Sequence, residues 1–210
     1  MQPDVTMVNM NKGDVRRAVH QRRRSMDPAR RNEASQRITE EITTLLSAEA
    51  ATRVAAYAPV GTEPGAGVLL EGLRDSGVEI LLPVSLPHGR LVWGFDHGPE
   101  SLTTSAYGLL EPRQPHQGTE VLTTCDFVFT PASALSPEGV RLGKGGGYYD
   151  RTLAQLSSLV DARGNHPVIV AVVYAAEIVA EVPVEKHDLP VDAVVTEQGV
   201  RYFNRRVGNR

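Results

Sequence analysis

Cysteine is nearly absent from the chain: Cys125 is the one thiol among 210 residues, so an internal disulfide is excluded. It sits in "TTCDFVFTP", an apolar run that reads as a strand, and a buried, unreactive thiol is expected there. Aromatic residues are also scarce, at 5%, which leaves few rings for stacking nucleobases. No apolar run approaches the roughly 18 residues that a membrane span requires. The opening "MQPDVTMVNMNKG" lacks the apolar core of a secretory signal. A cytoplasmic protein without a membrane partner is expected. The six histidines stand at 20, 88, 97, 116, 166 and 187, never at the spacing of a helical metal pair, and no G-x-S-x-G elbow occurs.

A chain of this length can bury roughly 70% of its extended-chain surface and needs no structural metal to fold. One domain spanning 1–210 is expected. The net charge of −3 is unevenly spread: residues 1–40 carry nine basic and five acidic side chains, and the remainder is acidic. The basic arm invites comparison with a nucleic-acid binder. An acidic body with few aromatics is a poor electrostatic footprint for one, so no nucleic-acid partner is expected. The run Arg22–Arg24 reads as a solvated patch on that arm.

Two helices are expected first. Residues 11–24 carry a thin apolar stripe of Val15, Ala18 and Val19. A second helix over 28–48 follows, with Asp27 as cap, Pro28 in the first turn, and Ile38, Ile42, Leu45 and Leu46 at helical spacing. This basic segment, 10–48, is expected to pack on the rest. Beyond it, strands are predicted at 52–58, 78–85, 89–95, 125–131, 167–175, 191–197 and 200–203, with helices at 64–77 and 148–162. Apolar strands alternating with helices predict a three-layer α/β/α fold around a largely parallel sheet. Ligands in such sheets bind beyond the carboxyl ends of the strands.

The stretch between the strand at 125–131 and the helix from 148 reads "SPEGVRLGKGGGYYDRTL". Glycine is entropically costly to order, so Gly143, Gly145, Gly146 and Gly147 around Lys144 need a reason. Such a loop can turn several backbone N–H groups towards one point, and the following helix start adds positive potential. Arg141 and Lys144 add full charges, and Asp150 is an oxygen ligand suited to Mg²⁺. The spacing is that of neither known glycine motif: G-x-x-x-x-G-K-S/T is one residue too long, and G-x-G-x-x-G would need glycine at Tyr148. The pattern predicts a phosphate loop of another kind.

With its neighbours, the stretch "DFVFTPASALSPEGVRLGKGGGYYDRTL" resembles the signature of the 5-formyltetrahydrofolate cyclo-ligase family, also called 5,10-methenyltetrahydrofolate synthetases. The resemblance extends over most of the chain. It includes "KGDVR", with Lys12 and Arg16, then "RVAAYAPVGTE", ending at Glu63, and Leu82–Pro83. "YGLLEP" and "PVEKHDLPVDAVVTE" follow. Departures are Lys144 and Gly146, where some relatives have Arg and Lys, Leu135–Ser136 in place of Phe-Asp, and Ala58 in place of a larger apolar residue.

The resemblance implies conversion of 5-formyltetrahydrofolate and MgATP to 5,10-methenyltetrahydrofolate, ADP and phosphate. It implies that ATP is held by Lys12, Arg16, Arg141, Gly143, Lys144, Gly145, Gly146, Gly147, Tyr148 and Tyr149, with Arg141 and Lys144 stabilising charge on the transferring group. The folate would meet Ala58, Glu63, Tyr107, Lys144, Gly145, Gly146, Gly147 and Tyr148, and Mg²⁺ would meet Asp150 and Asp188. A monomer is expected. Another ATP-dependent phosphotransferase built on the same loop stands as the alternative.

Overall fold

The protein is described as a computed structural model, covering residues 10–105, 108–160, 166–180, 182–183 and 189–203. The chain begins with α1 (Lys12–Ser25) and α2 (Pro28–Ala48), then β1 (Arg53–Ala55), α3 (Leu69–Asp75), β2 (Glu79–Leu86) and β3 (Arg90–Phe95). A small ribbon, β4 (Leu102–Thr104) with β5 (Leu110–Pro112), precedes β6 (Phe127–Pro131). A second ribbon pairs β7 (Ala134–Leu135) with β8 (Arg141–Leu142), and α4 (Tyr148–Leu156) follows. The chain closes with β9 (Val168–Val172), β10 (Ala193–Thr196) and β11 (Gly199–Tyr202).

Seven strands form the main sheet in the order β11-β10-β9-β6-β1-β2-β3. The five central strands run parallel, and an antiparallel hairpin partner closes each edge. The expected α/β architecture is present. Alternate residues of each strand enter opposite cores, which is why the strands read as unbroken apolar runs. Phe127, Phe129, Val170 and Val172 join Ile38 and Ile42 of α2 and Leu69 and Leu73 of α3 on one face. Val128 joins Leu153 and Leu156 of α4 on the other. Val15 and Val19 of α1 pack against Ala134, Leu142, Val179 and Val182. Among the described residues no helix is long and apolar enough to cross a membrane.

The break between α1 and α2 follows the sequence signals. Asp27 accepts the Arg30 N–H at 3.1 Å, and Pro28 occupies the first turn. The helix predicted over 64–77 is shorter, because Gly65 (φ +81°) and Gly67 (φ +84°) hold left-handed backbone that no α-helix accepts. That predicted over 148–162 stops at Leu156, where the Ser157 and Ser158 hydroxyls donate to the carbonyls of Ala154 and Gln155; residues 161 and 162 lie outside the described ones. The strand predicted over 52–58 narrows to three residues, and Tyr57 instead turns inward to donate its hydroxyl to the Pro64 carbonyl at 2.9 Å.

One expectation on charge is corrected. Arg23, the middle of the three arginines, is 2% exposed rather than solvated. Its Nε and Nη2 donate to the two oxygens of buried Glu177, at 2.6 and 2.7 Å, and Nη2 also donates to the Ala132 carbonyl at 2.9 Å. Burial alone would lower the guanidinium, but the hydrogen bonds and charge of Glu177 hold it above its ordinary value. Arg22 reaches the Ala176 carbonyl at 2.8 Å. The two therefore fasten α1 to the segment after β9.

Candidate active site

Two sheet neighbours flank β1 in opposite chain directions, β2 on one side and β6 on the other. That reversal of strand order opens a crevice at the carboxyl ends, the usual ligand position in such sheets. A cavity of about 290 Å³ lies there, bounded by Tyr57 and Ala58 after β1, Pro131 at the end of β6, and the glycine loop with the start of α4.

The ribbon β7–β8 delivers Arg141 to the cavity floor. Its Nη1 donates to the Pro131 carbonyl at 3.2 Å, and its Nη2 is ion-paired with Asp150 of the first turn of α4. The guanidinium also lies over the Tyr149 ring, 5.8 Å from the centroid. Asp150 sits where a carboxylate is favoured, at the positive end of a helix. Lys144, half-exposed at the tip of the loop, is ion-paired with buried Glu63 from the segment after β1. The other Glu63 oxygen accepts the Val60 N–H at 3.0 Å. One acid–base pair therefore spans the cavity mouth and another closes its floor.

Gly145 (φ +104°) and Gly147 (φ +68°) adopt left-handed backbone, with Gly146 between them on the ordinary side. Alternation of this kind bends consecutive peptides into a concave nest that favours an anion. Arg16 of α1 braces the loop from behind: its Nε donates to the Gly143 carbonyl at 2.7 Å, and its guanidinium packs over Gly145. Lys12 lies one turn earlier on the same helix face.

The structure thus places Ala58, Glu63, Arg141, Gly143, Lys144, Gly146, Gly147, Tyr148, Tyr149 and Asp150 around one cavity. Lys12, Arg16 and Gly145 are not among its lining residues. Tyr107 and Asp188 lie outside the described residues.

Sequence reasoning missed the apolar wall. Pro83 and Ser85 of β2, Leu91 of β3, and Leu109 and Leu110 before and in β5 face the same cavity. The buried carboxylate of Glu111 accepts the Ser85 N–H at 3.0 Å and ties this wall to β2. "YGLLEP" held the signal, two leucines beside a glycine in an otherwise polar stretch. A flat apolar wall opposite a few convergent polar groups is the common form of a small-molecule site.

Tyr149 is the orphan of the site. Its hydroxyl is buried and has no hydrogen-bond partner among the described residues, and burial pushes its ionisation well up. It stays a neutral donor awaiting an acceptor. His20, one turn beyond Arg16, is lowered by burial first and then by the charges of Arg23, Lys144 and Arg24, with Glu63 opposing. Cys125 is buried away from this chemistry, and burial pushes its thiol up to about 12, in keeping with an inert side chain.

Among the described residues no three acidic, histidine or cysteine side chains gather as a metal cage. Asp150 at the cavity edge fits the sparser demand of Mg²⁺, which usually takes one or two carboxylates and completes its shell with phosphate and water.

Fold and cavity together define an α/β protein with a cation-flanked glycine loop at the switch point of a mainly parallel sheet. The chain belongs to the 5-formyltetrahydrofolate cyclo-ligase family, whose model matches residues 8–197. It is 34% identical over 194 residues to the 5-formyltetrahydrofolate cyclo-ligase of Mycolicibacterium smegmatis, covering 89% of this chain and 93% of that one. The enzyme of the same name from Escherichia coli is 31% identical over 184 residues, covering 87% and 98%. The solution structure of Aquifex aeolicus 5,10-methenyltetrahydrofolate synthetase superposes with a TM-score of 0.74 at 29% identity, over 96% of each chain.

Proposed function

We propose that the chain converts 5-formyltetrahydrofolate to 5,10-methenyltetrahydrofolate at the expense of ATP, acting as a cytoplasmic, monomeric, single-domain enzyme. The chemical obstacle is the formamide, a weak electrophile whose oxygen leaves poorly. In the proposed path the formyl oxygen attacks the γ-phosphorus and the bond to ADP breaks. The adjacent anilino nitrogen then adds to the activated carbon and closes a five-membered ring. The carbon–oxygen bond breaks, phosphate leaves, and the nitrogen's proton passes to solvent or phosphate. Phosphoryl transfer asks a protein chiefly for alignment and charge neutralisation.

The observation that carries this reading is the cation-flanked nest. Gly145 and Gly147 curve the loop, while Arg141 and Lys144 bring two positive charges to the cavity it faces. Arg141 is preorganised, since the Pro131 carbonyl and Asp150 already hold its guanidinium. Such a donor costs no reorganisation when charge develops. Lys144 and Glu63 neutralise one another in the free protein. In the filled site each takes a substrate group instead, Lys144 the transferring phosphoryl oxygens and Glu63 the hydrogen-bond donors of the pterin. The N–H groups of the loop and of the first turn of α4 receive further phosphate oxygens. Arg16 and Lys12 bring positive charge to the triphosphate from α1, Tyr148 and Tyr149 line the junction between the substrates, and the leucine wall covers the ring.

Mg²⁺ would be held by Asp150, with Asp188 as the second candidate, and it would neutralise phosphate oxygens. Tyr107, also beyond the described residues, is proposed to stack on the pterin.

The test is the absorbance of the conjugated methenyl product, followed with purified protein, Mg²⁺ and 5-formyltetrahydrofolate, with and without ATP. Product only in the presence of ATP is expected. Product at equal rate without ATP, or none with it, contradicts the reading, and phosphorylation of a small alcohol without folate favours the phosphotransferase instead.

A further inference from the structure

Arg151 ends the "YYDR" run and follows Asp150 in the first turns of α4. Its guanidinium lies behind the glycine loop, where it lines a second cleft of about 320 Å³ rather than the substrate cavity. Nε donates to the Gly89 carbonyl at 3.0 Å, and Nη2 donates to the Gly146 carbonyl at 2.5 Å. Gly89 belongs to the turn between β2 and β3, so one side chain bolts the loop to a sheet-edge hairpin. The space it occupies exists because two residues lack a Cβ. A methyl group on Gly89 would overlap Nη2, and one on Gly147 would come within 2.9 Å of both terminal nitrogens. Both glycines hold left-handed backbone, at φ +69° and +68°.

The consequence lies on the far side of one peptide. The Gly146–Gly147 bond is trans, so its carbonyl and its N–H point in opposite directions. Arg151 holds that carbonyl on the outer side. The Gly147 N–H therefore faces away from Arg151, no acceptor for it occurs among the described residues, and Gly146 and Gly147 both line the cavity. We propose that Arg151 is a positioning residue: by gripping the Gly146 and Gly89 carbonyls it aims the Gly147 N–H at the substrate oxygen that gains negative charge. This rests on the proposed reaction for the identity of that oxygen, but the aiming itself is a property of the free protein.

Two carbonyls are engaged by two nitrogens of one rigid plane, a geometry that a lysine ammonium does not reproduce. The experiment compares Arg151→Ala, Arg151→Lys, Gly89→Ala and the Gly89→Ala/Arg151→Ala double variant with the parent, by turnover and by the ¹⁵N–¹H resonance of Gly147. Arg151→Ala is expected to move that resonance and to lower kcat about a hundredfold, with the KM for folate near parental, because a donor misplaced by a fraction of its hydrogen-bond length loses most of its effect. Arg151→Lys should recover little of the loss. Gly89→Ala should lower kcat similarly, and the double variant should be no slower than Arg151→Ala, since the displaced side chain is already gone. Parental kcat in Arg151→Ala, or full recovery with lysine, overturns the proposal. If the parent shows no cyclo-ligase turnover, the reaction reading fails separately, and the resonance decides alone: an unmoved Gly147 cross-peak in Arg151→Ala overturns the brace.

Discussion

Arg23 and Arg141 grip consecutive carbonyls at the carboxyl end of β6, those of Ala132 and Pro131, and each is ion-paired with a carboxylate. The resemblance ends at the carboxylate. Glu177 is 2% exposed, and both its oxygens are used, by Arg23 and by the Tyr174 N–H at 3.0 Å. Asp150 is 35% exposed and lines the cavity. The first pair is a closed circuit, buried and engaged at both oxygens. The second shares its charge with open space. Equal chemistry at one end of one strand thus yields a fastening in one place and a cavity lining in the other, and burial of the acid decides which.

The largest expected effect breaks the closed pair. Glu177→Ala leaves Arg23 buried without a counter-charge and should lower unfolding free energy by about 3–5 kcal/mol in a urea titration, with turnover of the folded fraction near parental. A loss below about 1 kcal/mol would place the pair with ordinary surface bridges. Lys144→Ala opens the other side of the comparison. It should lower kcat by about 10²–10³-fold while the unfolding midpoint stays near parental, because a half-exposed loop lysine carries little packing. Parental turnover in this variant removes Lys144 from the chemistry. Asp150→Asn should raise the Mg²⁺ concentration needed for half-maximal rate, and an unchanged metal titration would count against a metal role.

The smallest effect belongs to His20, which faces Arg23 and Arg24 on its own helix and Lys144 and Glu63 across the site. Its folded-state pKa is below the ordinary 6.5. The unfolded chain therefore takes up the proton first, so the contribution of His20 is full above the unfolded value and is lost as pH falls below it. The fall in melting temperature between about pH 7.5 and about pH 5.5 should be shallower in His20→Gln. Equal slopes would contradict the assignment.

Much of this contrast was legible in the residues. Asp27–Pro28 marked a helix start, the two-faced apolar strands marked a covered parallel sheet, and the glycine cluster fell between a strand and a helix where a ligand loop belongs. Local signals sufficed there because local interactions decide those features. Arg23 was not legible, because its burial depends on Glu177, 154 positions away, and a triple arginine looks the same whether its middle member is wet or dry. The short ribbon β7–β8 has two residues per strand, too few for any periodicity, yet it sets Arg141 on the cavity floor. Leu109 and Leu110 became a wall only once β5 folded over β2.

The most direct test of the central claim is where a nucleotide binds. A crystal structure with ADP and Mg²⁺ is expected to show the diphosphate against the Gly143–Gly147 nest, with Arg141 and Lys144 within hydrogen-bonding reach. A well-occupied nucleotide elsewhere on the chain, with that nest holding only solvent, would contradict the account.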